Sequence, residues 1–120
     1  RRLADDLAEA AARDLAGRTP RPAAAHFDDR DLGFLQAVGR RLAALDPGAV
    51  ALLTAGSGAE GVFAVVAGPH SALGDLRTAG AEVAALLDGR GGGAPPLYQG
   101  KAARLDRRPE ALAALAARLR

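Results

Sequence analysis

The sequence predicts an α/β domain in which helices cover a mixed β-sheet and an amphipathic helix stands at the N-terminus. Three observations support this fold class. Leucine and valine recur at helical spacing in several segments, two neighbouring runs (49–54 and 62–67) are apolar and partly β-branched, and Gly or Pro separates the segments. The 120 residues suffice for one domain with its own core.

The first two helices are predicted from apolar residues on one side of a helical wheel. The first covers residues 1–16 and ends at Gly17, and its apolar stripe repeats every four residues: Leu3, Leu7, Ala11 and Leu15. Packing on the domain and contact with another helix are both compatible with this stripe. The second helix follows Asp28 or Asp29 as N-cap and stops before Pro47, with Leu32, Leu35, Val38, Leu42 and Leu45 on its apolar side.

Strands are expected between and after these helices. Residues 23–27 follow a Thr-Pro-Arg-Pro break and predict a short strand near a sheet edge. The runs 49–54 and 62–67 form a β-hairpin that lies in the middle of a covered sheet, because both are apolar on both faces. Ser71 is expected to cap a third helix that runs to about Asp88 and ends at Gly89.

A glycine loop, a short strand and a last helix complete the predicted order. The loop is Gly91-Gly92-Gly93, the strand is 97–99, and Pro109 starts the last helix. The order is therefore α-β-α-β-β-α-loop-β-α.

Composition excludes several classes of function. The chain has no Cys and only two His, which stand far apart, so no disulfide, thiolate nucleophile or zinc site is predicted. We predict no catalytic residue and no cofactor in this chain. No uninterrupted run of eighteen apolar residues and no signal-peptide core is present, so we expect no membrane partner and a cytoplasmic location. Because the sequence does not begin with Met, we expect a fragment with catalytic parts upstream.

Positive charge is concentrated in the last quarter of the chain. The whole chain has a net charge of +2, whereas residues 90–120 contain seven basic and two acidic residues. This distribution fits a phosphate-rich partner as well as a solvated surface.

The glycine loop lies in this basic part, and residues beyond it match a known pattern. Gly89-Arg90-Gly91-Gly92-Gly93 is followed by Pro95 and Gln99-Gly100, and an apolar strand ending in Gly68 precedes the helix before it. Over about residues 31–119 the chain resembles the C-terminal domain of alanyl-tRNA synthetases, also called the DHH-associated domain. That domain also occurs in alanyl-tRNA editing proteins and DHH-type phosphoesterases. The resemblance divides the chain into an N-terminal helix (1–18) and a DHH-associated domain (19–120).

The resemblance implies an accessory domain that binds tRNA and positions it for a separate catalytic domain. Ala94 and Pro96 stand where the synthetases usually have Arg and Asp, so the loop is expected to act mainly through its geometry. The phosphoesterases commonly have His at the position of Ala94, and this chain has no DHH triplet. The two alternatives are a dimerisation module that uses the N-terminal helix in a homodimer, and the substrate-binding half of a DHH-type phosphoesterase.

The candidate nucleic-acid-binding residues lie in and beside the glycine loop. Glycines let backbone N–H groups approach a phosphate closely, and basic side chains contact phosphates without reading sequence. Tyr98 either stacks on a base or packs half-buried. The predicted site consists of Arg90, Gly91, Gly92, Gly93, Gln99, Lys101, Arg104, Arg107 and Arg108.

Overall fold

The computed structural model describes residues 2–120, and in them a five-stranded mixed sheet lies between two layers of helices. The strands are β1 (Ala23–Phe27), β2 (Val50–Ala55), β3 (Gly61–Ala67), β4 (Arg90–Ala94) and β5 (Leu97–Ala102). The helices are α1 (Arg2–Leu15), α2 (Leu32–Leu45), α3 (Leu76–Leu86) and α4 (Arg108–Arg118), and a 3₁₀ turn (Leu105–Arg107) precedes α4. These elements confirm the predicted fold class.

The strand order in the sheet is β1-β2-β3-β5-β4. β1 is parallel to β2, and the remaining neighbours are antiparallel. The β2–β3 hairpin therefore lies inside the sheet, as its apolar composition predicted, and β1 and β4 form the two edges.

Side chains of the hairpin supply two separate cores, one on each face of the sheet. Leu53 and Val66 pack in the core beneath α1 and α2, on what we call the α2 face. Phe63 and Val65 pack in the core beneath α3 and α4, on the α3 face. Because successive strand residues point to opposite faces, burial of both faces explains why these strands are apolar throughout.

Helix α1 is confirmed, but its buried stripe differs from the predicted one. Ala8, Ala12 and Leu15 are buried, whereas Leu3 and Leu7 have 69% and 38% of their surface exposed. A helix turns through about 100° per residue, so a strict spacing of four drifts by roughly 40° at each step. The predicted stripe therefore winds away from the core towards the start of the helix.

Helix α2 begins later than either predicted cap. Asp31 is the N-cap, and its carboxylate accepts a hydrogen bond from the Phe34 N–H at 3.0 Å. Leu35, Val38 and Leu42 are buried as predicted. The prediction of Asp28 or Asp29 as the cap was wrong because three nearby aspartates offer the same acceptor, and only the backbone geometry selects among them.

The end of α2 is tied to the segment before β1 by one carboxylate. Asp46 accepts hydrogen bonds from the Gly17 N–H at 2.8 Å, the Gly48 N–H at 3.2 Å and the Arg21 guanidinium at 3.3 Å. Partial burial alone would raise the pKa of Asp46, but the bonds from Gly17, Arg21 and Gly48 outweigh it and lower the pKa below 3.8. Asp46 thus holds the chain where it enters the first edge strand.

The predicted start of the third helix was also wrong. Helix α3 begins after Asp75, whose carboxylate accepts from the Arg77 N–H at 3.1 Å and the Thr78 hydroxyl at 2.7 Å. Gly74 immediately before it has a φ of +81°, in the left-handed region, so a helix cannot continue through it from Ser71.

The glycine triplet forms an edge strand, which corrects the predicted loop. β4 pairs with β5 along its length, from Arg90 opposite Lys101 to Ala94 opposite Leu97. The predicted short strand 97–99 accordingly extends to Ala102. Glycine is disfavoured in strands and leaves no side-chain pattern, so the local sequence predicts a loop where the ladder with β5 imposes a strand.

Candidate nucleic-acid interface

Strands β4 and β5 bring six of the predicted site residues onto one end of the sheet. Directly opposed residues of an antiparallel pair share a face, so Arg90 and Lys101 lie side by side on the α2 face, and Gly92 lies beside Gln99. Gly91, opposite Gly100, points to the α3 face.

This end of the α2 face is open in the described part of the chain. Helix α2 reaches β5 at Leu97, which packs against Gly39. A Cβ built on Gly92 would have no atom within 4 Å, and every residue of β4 is exposed. We call this surface the open half-face and define it by Arg90, Gly92, Ala94, Gln99 and Lys101.

The two basic side chains of the open half-face form no ion pair with the described residues. Neither Arg90 nor Lys101 has a carboxylate within 4.0 Å among residues 2–120. Glu60 and Asp88 line the same shallow hollow without forming an ion pair with them. Like charges directly opposite each other destabilise a sheet, and a bound anion would offset that repulsion.

Gln99 supplies the polar centre of this surface. Its side chain is half-buried, and its Oε1 atom is buried without a hydrogen-bond donor among the described residues. A buried acceptor without a partner costs about 1–3 kcal/mol. The described structure therefore leaves this acceptor unpaired beneath the surface.

On the α3 face, two side chains cover the carbonyl groups of β4. The Tyr98 hydroxyl donates to the Gly91 carbonyl at 3.1 Å, and Arg77 Nε donates to the Gly93 carbonyl at 3.3 Å. Tyr98 is only 8% exposed because its ring packs under α3 at Gly80. Of the two roles considered for Tyr98, the structure therefore supports packing.

Sequence reasoning missed Arg77 and Gly80 as supports of the glycine strand. Gly80 is buried on the core side of α3, and its contact with Tyr98 depends on the sheet order. Arg77 carried no sequence signal, since its partner is a main-chain oxygen sixteen residues away.

The remaining three basic residues of the predicted site lie after β5 and differ in their surroundings. Arg104 binds Asp106 through Nε at 3.0 Å and Nη2 at 2.8 Å. This side-chain hydrogen bonding raises the pKa of Arg104 and lowers the pKa of Asp106. Arg107 Nε lies 3.8 Å from Glu110, and Arg108 lines a pocket on the α3 face.

The structure therefore separates the predicted site into two surfaces. Arg90, Gly92, Gln99 and Lys101 share the open half-face, and Gly91 and Gly93 belong to the same edge strand. Arg108 lies beside β1 at the other end of the sheet. Sequence proximity grouped these residues, but the path of the chain from β5 to α4 parts them.

Comparison with solved structures gives a fold match. The crystal structure of the C-Ala domain from Aquifex aeolicus alanyl-tRNA synthetase matches with a TM-score of 0.73, over 81% of this chain and 88% of that chain. The chain has a C-Ala-like fold. The sequence identity is 22%, so the likeness concerns the fold. No family model matches the sequence, and no curated protein matches it.

In this C-Ala-like fold, the glycine strand and the basic pair occupy one sheet edge, and α1 packs on α2 at the other end. None of the helices in residues 2–120 has the length and apolar character needed to cross a bilayer.

Proposed function

We propose that this chain is a tRNA-binding accessory domain that positions tRNA for a separate catalytic domain of an alanyl-tRNA synthetase-like or editing protein. The observation that supports it most directly is the opposed pair Arg90 and Lys101 on the open half-face, with no carboxylate partner among the described residues. The C-Ala-like fold adds support, because the similar domain belongs to an alanyl-tRNA synthetase.

The open half-face suits a nucleic-acid backbone in both shape and charge. An exposed strand without side chains at Gly91, Gly92 and Gly93 lets a bulky sugar–phosphate chain approach the sheet closely. Arg90 and Lys101 then contact phosphates, which fixes position and supplies salt-dependent affinity without reading sequence. Gln99 lies between them and the helix layer, where its amide can hydrogen-bond a base or ribose.

The nine proposed contacts should contribute unequally. Arg90 and Lys101 lack ion-pair partners in residues 2–120, whereas Arg104 is held by two hydrogen bonds to Asp106. Releasing Arg104 to a phosphate would break that pair, so its net contribution is smaller. Arg107 is intermediate, and Arg108 faces a different surface.

A salt-titrated tRNA binding assay tests the proposal. The double variant Arg90→Gln with Lys101→Gln should bind tRNA more weakly and reduce the slope of log K against log salt concentration by about 1.5, as expected for two lost phosphate contacts. The matched control is Arg13→Gln with Arg18→Gln, which changes the net charge equally but lies in the last turn of α1 and just after it. The proposal fails if tRNA binds no better than duplex DNA and the two double variants behave alike.

The exposed leucines of α1 favour a second candidate function, a dimerisation module. Leu3 and Leu7 are the large apolar side chains exposed among the described residues. They lie one helical turn apart, and contiguous exposed apolar surface is typical of contact sites. In sedimentation equilibrium, self-association that disappears in Leu3→Ser with Leu7→Ser would support this candidate. A monomer at every concentration would exclude it.

A further inference from the structure

The second edge of the sheet, β1, differs from β4 in leaving its main chain uncovered. Within residues 2–120, β1 pairs only with β2, in parallel. Ala24 is exposed, and Ala25 and His26 are half-buried. An edge strand presents unpaired N–H and C=O groups that can pair with another extended chain.

An open pocket lies beside this edge on the α3 face. Ala24 and Leu52 line its sheet side, and Pro109 and Leu112 of α4 line the opposite side. The volume of the pocket is about 470 Å³. Ala24 ends at its Cβ atom, so a side chain from a strand added outside β1 can pass over it into the pocket. The pocket is therefore accessible from the edge and has apolar walls.

One end of the pocket is cationic. The Arg108 side chain lines it and has no carboxylate within 4.0 Å among the described residues. The neighbouring acid, Asp106, already accepts two hydrogen bonds from Arg104. The half-buried guanidinium of Arg108 is thus available to an incoming carboxylate.

The groups beside Arg108 are fixed by bonds to one another. His26 Nδ1 lies 2.8 Å from Thr54 Oγ1, and His26 Nε2 lies 2.9 Å from the Gly56 carbonyl oxygen and 3.1 Å from Asp28 Oδ1. Because a carbonyl oxygen can only accept, Nε2 carries a proton. These contacts connect the end of β1 to β2 and to the residue after it, next to the pocket.

We propose that the β1 edge binds an extended peptide of a partner protein, which adds as a sixth strand, places an apolar side chain in the pocket and places a carboxylate on Arg108. Side chains two residues apart share one face of a strand. The pocket therefore takes residue i beside Ala24, and Arg108 takes an Asp or Glu at i+2 beside His26. Main-chain bonds supply affinity and the alternate side chains supply specificity.

A peptide suits this edge better than a nucleic acid does. Asp28 and Asp106 line the region around Arg108, so this end of the pocket has no excess of positive charge to hold a string of phosphates. A single carboxylate requires only the guanidinium. The apolar walls of the pocket likewise match an aliphatic side chain.

Fluorescence anisotropy with a labelled peptide tests the inference on the full chain. The probe is fluorescein-Lys-Thr-Leu-Thr-Glu-Thr-Lys-amide, with Leu and Glu two residues apart, and saturable binding is expected. Replacing Glu by Gln in the peptide, or Arg108→Gln in the protein, should each weaken binding about tenfold, the value of one charge-assisted contact. Combined, the two changes should weaken it no further than either alone.

A protein variant and its control separate the pocket from general effects. Ala24→Leu fills the entrance at an exposed strand position and should abolish binding, whereas Ala44→Leu, at an exposed position on α2, should leave it unchanged. Both variants are first checked for an unaltered melting temperature, and a misfolded Ala24→Leu protein is replaced by Ala24→Val. Equal binding of the Glu and Gln peptides, displacement by a uridine hexanucleotide, or normal binding by the Ala24 variant would overturn the inference.

Discussion

The two edges of this sheet differ in how their outward-facing main-chain groups are covered. At β4, side chains from the α3 face cover the outer carbonyls: Tyr98 donates to Gly91 and Arg77 donates to Gly93. At β1, the described residues leave the outer main chain without such cover, and an apolar pocket lies beside it. Covered acceptors hinder pairing with another strand, which requires both donors and acceptors.

This difference assigns different partners to the two edges. At the glycine strand β4, a ligand can approach the main chain closely, and Arg90 and Lys101 lie beside it. The carbonyls that a peptide would need as acceptors are already bonded to Tyr98 and Arg77. Such an edge favours an anion over a strand. Strand β1 keeps free N–H and C=O groups at its outer edge within residues 2–120. It also lies beside Arg108, which forms no ion pair with the described residues, and this combination favours a peptide over a polyanion.

The largest expected effect comes from breaking the support of the β4 edge. Gly80→Leu places a side chain where the Tyr98 ring packs, and overpacking should lower the free energy of unfolding by about 3 kcal/mol. Urea unfolding measures the loss, and Ala81→Leu, at an exposed position on the same helix, is the control. Hydrogen exchange should accelerate at β4 and leave β1 largely unchanged. Equal acceleration at both edges would show that the edges are not independently supported.

Asp46→Asn should weaken the attachment of the segment that leads into the β1 edge. It weakens the bonds to Gly17, Gly48 and Arg21, and the free energy of unfolding at pH 7 should fall by about 2 kcal/mol. Because folding lowers the pKa of Asp46, the wild type gains this stability above pH 3.8 and loses it as the pH falls through the lowered value.

Acid titration of stability therefore distinguishes the Asp46 variant from a simple packing defect. The difference in the free energy of unfolding between wild type and Asp46→Asn should shrink as the pH drops below about 3.8. Urea unfolding at each pH measures this difference. Asp29→Asn, an exposed position without an ion pair in residues 2–120, is the control. A difference that stays constant with pH would contradict the assignment.

Tyr98→Phe removes one of the two hydrogen bonds that cover the β4 carbonyls and leaves the packing of the ring intact. It removes the hydroxyl that donates to the Gly91 carbonyl and should cost about 1 kcal/mol in urea unfolding, since the ring stays in place. Combined with Arg77→Met, it uncovers both carbonyls, and sedimentation velocity should then detect concentration-dependent association through β4. If the double variant remains monomeric, the two side chains do not protect this edge.

Much of the interior could be predicted from sequence because burial leaves a pattern. The uniformly apolar hairpin indicated central strands, and the leucine spacing of α2 identified Leu35, Val38 and Leu42 as core. Helix starts were less predictable. Asp31 and Asp75 compete with neighbouring Asp and Ser residues that have equal capping ability, and the left-handed Gly74 decides the second case.

The edges and the site could be predicted only in part, because long-range pairing creates them. Gly91 to Gly93 carry no strand signal, and their ladder with β5 is a tertiary effect. The basic residues were correctly seen as a concentration of charge, but the chain turns after Lys101, and Arg108 comes to lie near β1. Closeness in sequence therefore does not predict that Arg108 lies on a different surface from Arg90 and Lys101.

The smallest predicted effect is a gain in the free energy of unfolding, whereas the variants above lose stability, and it arises at the proposed binding site. Arg90 and Lys101 are like charges placed directly opposite each other, so Arg90→Gln with Lys101→Gln should raise the free energy of unfolding by about 0.5 kcal/mol at low salt. Added salt screens the repulsion, and the gain should vanish near 1 M, where the Debye length is about 3 Å. Urea unfolding at both salt concentrations measures this, with Arg13→Gln and Arg18→Gln as the control. A variant that gains stability while losing tRNA affinity would show that this pair is retained for binding at the expense of stability, whereas a loss of stability at low salt would show that the pair supports the fold.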